Sequence, residues 1–566
     1  MRNTEFEPAG MVRWYDPLQL LHTARQVFIS TLFAEFSDHR LIQAIQNGGG
    51  AWYDYSIDET KRLRDELWFD YVADTGDGWN STYAVAYWLS QANLGLRFAG
   101  NTEKPETHRN TKRGELLILG GDEVYPTSSR SNYEQRLILP YRTALPYRDD
   151  TPTPSIFAVP GNHDWYDNLV SFTNLFSYKD CFAGWRTQQE RSYFALKLPH
   201  GWWLCGVDIQ LGSDIDRPQL EYFRKVAAEE MNQTDKILLC IAEPHWIYST
   251  LYSKYKRDVY NERNLTLLEE QVFGRRISVF VAGDLHHYRR HARPDGIQKI
   301  ISGGGGAFLH PTHGANVEEL SNGFKLMESY PKKEVSRKLA WRNLRFSWLN
   351  PWFGVVSGFF YMMTAWSVMA PIQDRGPTQW AEAIQETVNK ALQTPTGVFW
   401  SVALFLGFWL FTDTHSRRYR WIAGTVHGLT HLFAVFLIGG TAAYQCVHFF
   451  GLVFESTGQI LMTGSLIFLG GYLVGPFIVG VYLLVSLNVF KRHSNEAFSS
   501  LRIDGWKSFL RFHISSSGVL TIYPIGIRAV PHRWRPKLDG SVGSEVIPDD
   551  PRATSPELIE PEIEVH

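Results

Sequence analysis

Cysteine is scarce: four residues in 566 (Cys181, Cys205, Cys240 and Cys446), spread far apart, three of them inside apolar, strand-like runs. That spacing suggests neither a disulfide framework nor a zinc knuckle, and the cysteines read as small buried hydrophobes. An excess of one charge is equally lacking. With 56 Lys and Arg against 58 Asp and Glu, the formal net charge is −2, and no nucleic-acid partner is expected. The opening stretch MRNTEFEPAGMVRWYDP has no basic region followed by an apolar one. No secretory signal is visible there, and the first domain is expected to stay where it is made. The glycine run Gly303 to Gly306 lacks the Lys and Ser or Thr of a P-loop, which leaves a tight turn as its use. No internal repeat of useful period occurs.

What is present divides near residue 350. A chain of 566 residues exceeds one ordinary core, so two or three structural units are expected. Before the divide, short apolar runs alternate with polar loops; after it come long apolar runs without charge. Trp352 to Ala370 and Trp421 to Tyr444 each reach the roughly 20 residues that a helix needs to cross a bilayer. Gly397 to Phe411 is shorter, but its neighbours make it a span as well. Ile460 to Phe490 carries no charge and is too long for one untilted span, with Gly475 and Pro476 as places to break or kink. Spans are thus expected near 350–371, 396–412, 421–444 and 460–490, about four within a region 346–490. Basic residues precede the first (KKEVSRKLAWRNLR), follow the second (HSRRYR) and follow the fourth (Lys491, Arg492). That pattern places both ends of the bundle on the cytoplasmic side of a multi-pass protein. His427 and His431, one helical turn apart with His448 beyond, read as interhelical hydrogen-bonding groups in preference to a metal or haem pair.

Three flanking regions complete the map. Pro17 to Gln46, within an N-terminal segment 1–60, has apolar residues at helical spacing and is expected to form one or two amphipathic helices. FLRFHISSSGVLTIYPIGI alternates around a Ser-Gly turn and predicts a β-hairpin in a small β-rich cytoplasmic cap over 491–535. The acidic tail 536–566, rich in Pro, Ser and Glu, is expected to be disordered.

The chemistry lies within 61–330. Five short apolar runs each finish in metal-binding residue types: LWFDYVADTGDGW in Asp74, Gly76 and Asp77; ELLILGGDEVYP in Asp122, with Tyr125 three residues on; SIFAVPGNHDWYD in Asn162, His163 and Asp164; KILLCIAEPHW in His245; and SVFVAGDLHHY in Asp284, His286 and His287. Parallel strands bring their C-terminal ends to one edge, so five such endings suggest one site. Singly, each Asp would read as a turn or N-cap residue, and His245 as a satisfied core histidine. Together, carboxylates, an amide and imidazoles form the mixed ligand set suited to Mn, Fe or Zn.

The runs DTG, GDEVY, GNHD, EPH and GDLH resemble, in order, the motifs of the calcineurin-like metallophosphoesterase family, including its purple acid phosphatase branch. The resemblance covers Phe69 to Gly306 and implies an α/β, four-layer αββα sandwich, here followed by the helical bundle and the cap. It also implies a centre of two divalent or trivalent metal ions. Asp122 would bridge them; Asp74 and His286, with Tyr125 as a further ligand, would hold one, and Asn162, His245 and Asp284 the other. A bridging carboxylate suits two cations roughly 3.5 Å apart. His163 would act as the catalytic histidine and Asp164 would orient it.

This sequence departs from the family pattern at two ligand positions. Gly76 stands for a histidine, a loss that Tyr125 would make good, though Tyr125 could simply pack beside Pro126. Asp284 also stands for a histidine; it reads as a substituted ligand, the other reading being that it faces away and the second metal is weak. Asp77 is a turn residue or an acceptor behind the ligands, and His287 either reaches the substrate phosphate or packs. His310 and His313 could line the pocket, with a surface loop the simpler reading. The expected function is hydrolysis of phosphomono- or phosphodiesters, including a lipid head group as a candidate substrate. The other reading is an inactive membrane sensor or scaffold.

Overall fold

A computed structural model describes residues 8–34, 52–98, 108–148, 153–178, 180–209, 214–252, 263–314, 317–369, 379–412, 416–537, 543–550 and 554–566. Two compact units result: Met1–Val12, His22–Ser336 and Arg502–His566 form the first, and Arg13–Leu21 with Arg337–Leu501 the second.

The first unit is built on two mixed sheets. In the eleven-stranded sheet, β1 (Leu67–Val72), β2 (Leu116–Leu119) and β3 (Ser155–Ala158) run parallel and adjacent. In the eight-stranded sheet, β4 (Lys236–Ile241) and β5 (Ile277–Ala282) are parallel neighbours. These are the five apolar runs of the sequence, and their Val, Ile, Leu and Phe content suits strands covered on both faces. Phe69, Tyr71, Ile118 and Phe157 pack with Leu238, Cys240, Val279 and Val281 in one buried cluster between the sheets. Helices Trp79–Leu89 and Arg217–Glu229 contribute to two further clusters on the outer faces. The expected order of layers, helix, sheet, sheet, helix, is therefore present.

The predicted cap is not a separate domain. Its hairpin, β6 (Lys507–Ile514) and β7 (Leu520–Ile527), lies inside the eleven-stranded sheet, where β6 pairs antiparallel with β1 along Leu510–Ile514. Both strands are buried along nearly their whole length, a burial that a lone two-stranded hairpin cannot supply. The tail is ordered in part as well: Glu557–Leu558 and Ile563–Val565 pair with β7. Composition predicted disorder there because it cannot register a waiting sheet edge. The larger segment of the second unit, Arg337–Leu501, is thus inserted in the chain between two strands of the first.

Of the predicted N-terminal helix, Pro17–Ala34 is observed, and residues 35–46 lie outside the described residues. In the second unit the expected four spans become two or three. Among the described residues, Arg417–His448 and Thr457–Asn488 are long and apolar enough to cross a membrane, and Trp380–Gln393 with Pro395–Phe411, bent by 97°, counts as a third only if that pair is one span. The run at 352–370 is helical over Pro351–Met369 but is not among them. Pro476 does not break Thr457–Asn488, which runs as one helix. His431 Nδ1 meets Tyr361 Oη at 2.8 Å, an interhelical hydrogen bond of the kind expected, and its Nε2 lies 3.2 Å from His427 Nε2.

Candidate metal and catalytic centre

Three of the carboxylates share one backbone device. Asp74, Asp122 and Asp284 follow β1, β2 and β5 within three residues and all adopt positive φ, at 57°, 54° and 64°. Asp tolerates this region better than most residues, and such strain gathers at functional sites. The turns interlock: Asp74 N donates to Gly121 O at 2.9 Å, and Thr75 N to Asp122 O at 3.0 Å. Two glycines allow the carboxylates in. A Cβ on Gly303 would lie 2.2 Å from Asp74 Oδ2, and one on Gly161 would lie 2.1 Å from Asp122 Oδ1. The glycine run thus serves the tight passage beside the site that its sequence suggested.

Around the Tyr125 hydroxyl, Asp74 Oδ1, Asp122 Oδ2 and His286 Nε2 each stand at 3.0 Å. Proton positions follow from chemistry. His286 Nδ1 lies 2.7 Å from the Phe308 carbonyl, which can only accept, so Nδ1 carries the proton and Nε2 presents a lone pair. Tyr125 has one proton for three acceptors, and Asp74 Oδ2 is buried with no hydrogen bond. Burial, then the charges of Asp122 and Asp284, push Asp74 well above the usual carboxylate range; burial, then Asp164 and Asp284, do the same to Asp122. Two carboxylates, a phenol and an imidazole lone pair with too few protons fit a bound cation. No three His, Cys, Asp or Glu side chains among the described residues meet as a ready cation cage, so the convergence depends on Tyr125.

The other three predicted ligands are each steadied by a different partner. Asn162 bonds Tyr166. His245 Nε2 lies 3.0 Å from Glu269 Oε1, while its Nδ1 is buried without a hydrogen bond. Asp284 accepts from the Tyr248 hydroxyl. Burial raises the Asp284 carboxyl and that hydrogen bond opposes the rise.

His163 follows the same logic as His286. Its Nδ1 lies 2.7 Å from Pro126 O, so it carries the proton there and Nε2 presents a lone pair. Burial lowers its pKa to about 4. Asp164 holds the loop: it accepts from Gly161 N at 2.9 Å, Glu123 N at 3.3 Å and Tyr133 Oη at 2.5 Å. Asp77 accepts from Val12 N and Phe308 N, the outer-acceptor role considered for it. His287 is 2 % exposed, with no hydrogen bond to either ring nitrogen. His310 is not in a detached surface loop: its ring stacks on His286 at 3.8 Å. His313 is buried and meets Ser336 Oγ at 2.8 Å.

Sequence reasoning missed Tyr248, Glu269 and Lys507. Tyr248 follows His245 by one helical turn, a spacing that could have pointed to it. Glu269 and Lys507 arrive from distant segments and carried no signal. Lys507, on β6, is fully buried, bonds Ala307 O and is drawn down to about 8 by burial.

Residues 67–288 match the family model of the calcineurin-like phosphoesterases, a span that contains every predicted ligand. The chain therefore carries a domain of the metallophosphoesterase superfamily. Among solved structures, a purple acid phosphatase from yellow lupin (Lupinus luteus) seeds is 12% identical, with 47% of this chain and 48% of that one covered and a TM-score of 0.31. The match thus spans about half the length of that protein, a likeness too distant to bear on the site. No curated protein matches the chain.

Proposed function

We propose that the protein is a membrane-embedded, metal-dependent phosphoesterase. The observation that carries this is the meeting of Asp74, Asp122 and His286 on one phenol that cannot satisfy them. Asp74, Asp122, Tyr125 and His286 would hold one cation, and Asn162, His245 and Asp284, sharing Asp122, the other. When bound, two such cations acidify a water and neutralise charge building on a phosphoryl group. The chain's own part is orientation and proton handling. Pro126 O fixes the His163 tautomer, so Nε2 is the atom left to exchange a proton with the leaving oxygen. Asp164 holds the turn that carries His163, and the buried setting strengthens each electrostatic contact.

The membrane part of the proposal rests on Arg417–His448 and Thr457–Asn488. Arg417, Arg418 and Arg420 open the first helix, Lys491 and Arg492 follow the second, and the link 449–456 has no Lys or Arg. Both basic ends then belong on the cytoplasmic side. Because the helical unit is inserted within the sandwich fold, the catalytic unit is tethered at both ends, which favours a substrate in the same surface, a lipid phosphoester.

The test is metal content and hydrolysis of aryl mono- and diesters by purified full-length protein. About two metal ions per chain are expected, with Asp122→Asn and His163→Ala each lowering turnover by on the order of 100-fold or more. Unchanged turnover in both variants would leave the sensor or scaffold reading in place.

A further inference from the structure

The second group of ligands differs from the first in donor chemistry. At position 284 a carboxylate replaces the family's imidazole, so three of the four donors proposed for the second cation are oxygens: Asp122, Asn162 and Asp284, with His245 the one nitrogen. Asp284 is also not left to find its own direction. The Tyr248 hydroxyl bonds its Oδ2, and Tyr248 lies on the helix His245–Tyr252, three residues after His245. Residues at that spacing share a helix face. One short helix therefore presents a ligand and, a turn later, the group that aims a second ligand arriving from β5. A carboxylate is shorter than a histidine, and its two oxygens leave it free to rotate. A hydrogen bond to one oxygen settles which oxygen faces the site.

Resting on the metallophosphoesterase reading above, we infer that Tyr248 and Asp284 act as a pair that makes the second seat oxygen-rich, and so shifts its affinity ratio toward the harder cation, Mn(II), and away from Zn(II), relative to a seat with histidine at 284. The chemical ground is ligand softness. Imidazole nitrogen suits Zn(II), whereas carboxylate and carbonyl oxygen suit Mn(II) and Mg(II). Tyr248 is a positioning residue here: it acts on the cation through Asp284, in the way outer partners orient metal ligands.

The experiment uses full-length protein in detergent, stripped with chelator and titrated with Mn(II), then with Zn(II) in competition. It is read by calorimetry and by the Mn(II) electron paramagnetic resonance spectrum. Wild type is expected to bind two Mn(II), giving a spin-coupled spectrum. Asp284→His should keep two sites and shift the Zn(II)-to-Mn(II) affinity ratio of the second by at least about 10-fold toward Zn(II). Tyr248→Phe should weaken the second Mn(II) by roughly 10- to 100-fold, leave the first unchanged and keep the same thermal midpoint. An unchanged ratio in Asp284→His, or an unchanged second affinity in Tyr248→Phe, overturns the inference while the dinuclear reading stands. Fewer than two ions bound by wild type overturns both, and is seen before any variant is made.

Discussion

In the eleven-stranded sheet, Asp74, Asp122 and the Asn162–His163 pair follow three adjacent parallel strands, and the backbone holds them: the turns cross-bond, glycines open the space, and β6 and β7 lock the sheet beside β1. In the eight-stranded sheet, His245 and Asp284 follow β4 and β5 but are directed by side chains, Glu269 and Tyr248. The first arrangement ties ligand geometry to the stability of the whole unit. The second allows ligand character to change one side chain at a time, and there the sequence departs from the motif it resembles by placing Asp284 where that motif has a histidine.

The comparison breaks most directly at Arg511 on β6. Its guanidinium donates to both oxygens of Asp70 on β1, at 2.7 and 3.1 Å, and also reaches Leu89 O and Thr111 Oγ1. Arg511 and Asp70 are buried, at 0% and 1% side-chain exposure. Removing one partner leaves the other charge buried and alone, so Arg511→Ala should cost about 3–5 kcal/mol in chemical denaturation. Replacing both, as Arg511→Met with Asp70→Leu, should recover much of that. If Arg511→Ala unfolds at the wild-type midpoint, the C-terminal strands are not what steadies the eleven-stranded sheet.

Lys507, four residues earlier on the same strand, should show a smaller and pH-dependent effect. Its folded pKa of about 8 lies below the usual lysine value of 10.5, so below pH 8 the amine is charged in both states and its burial opposes folding in full. Between pH 8 and 10.5 the unfolded chain binds the extra proton, and stability from this group rises with pH. At about 1.4 kcal/mol per pKa unit, the gain is on the order of 3.5 kcal/mol. Lys507→Met should lack it, so the stability difference between variant and wild type should drift by that amount in favour of wild type across the window. A pH-independent difference would mean that Lys507 keeps its proton in the folded state throughout.

The same contrast explains what could be read in the sequence. The apolar runs of β1 to β5 and their polar endings were legible because each strand and its ligand are adjacent in the chain. Arg511 and Lys507 were not, since an alternating hairpin after the helical region looks the same whether it folds alone or completes a sheet begun over 400 residues earlier. The acidic tail misled for a similar reason: composition reports whether a segment can build a core of its own, and Glu557–Leu558 and Ile563–Val565 borrow one. The span count came out below four, because among the described residues Pro351–Met369 is not one of the helices long and apolar enough to cross. Glu269 was unreadable because its only link to the site is a contact in space.

Glu269 is also where the side-chain half of the comparison can be tested most finely. Its Oε1 lies 3.0 Å from His245 Nε2 as a charge contact, without a hydrogen bond to that oxygen, and a negative charge there favours the ring orientation in which Nδ1 would serve the second cation proposed above. Glu269→Gln keeps the shape and removes only the charge. The expected result is a second-cation affinity weaker by about 10-fold, the lower end for such outer partners, with first-cation affinity and thermal midpoint unchanged. Glu269→Ala removes the side chain against the ring as well and should approach about 100-fold. If Gln and Ala variants weaken both cations equally, His245 is held by the fold as firmly as Asp122 is, and the two sheets present their ligands in the same way.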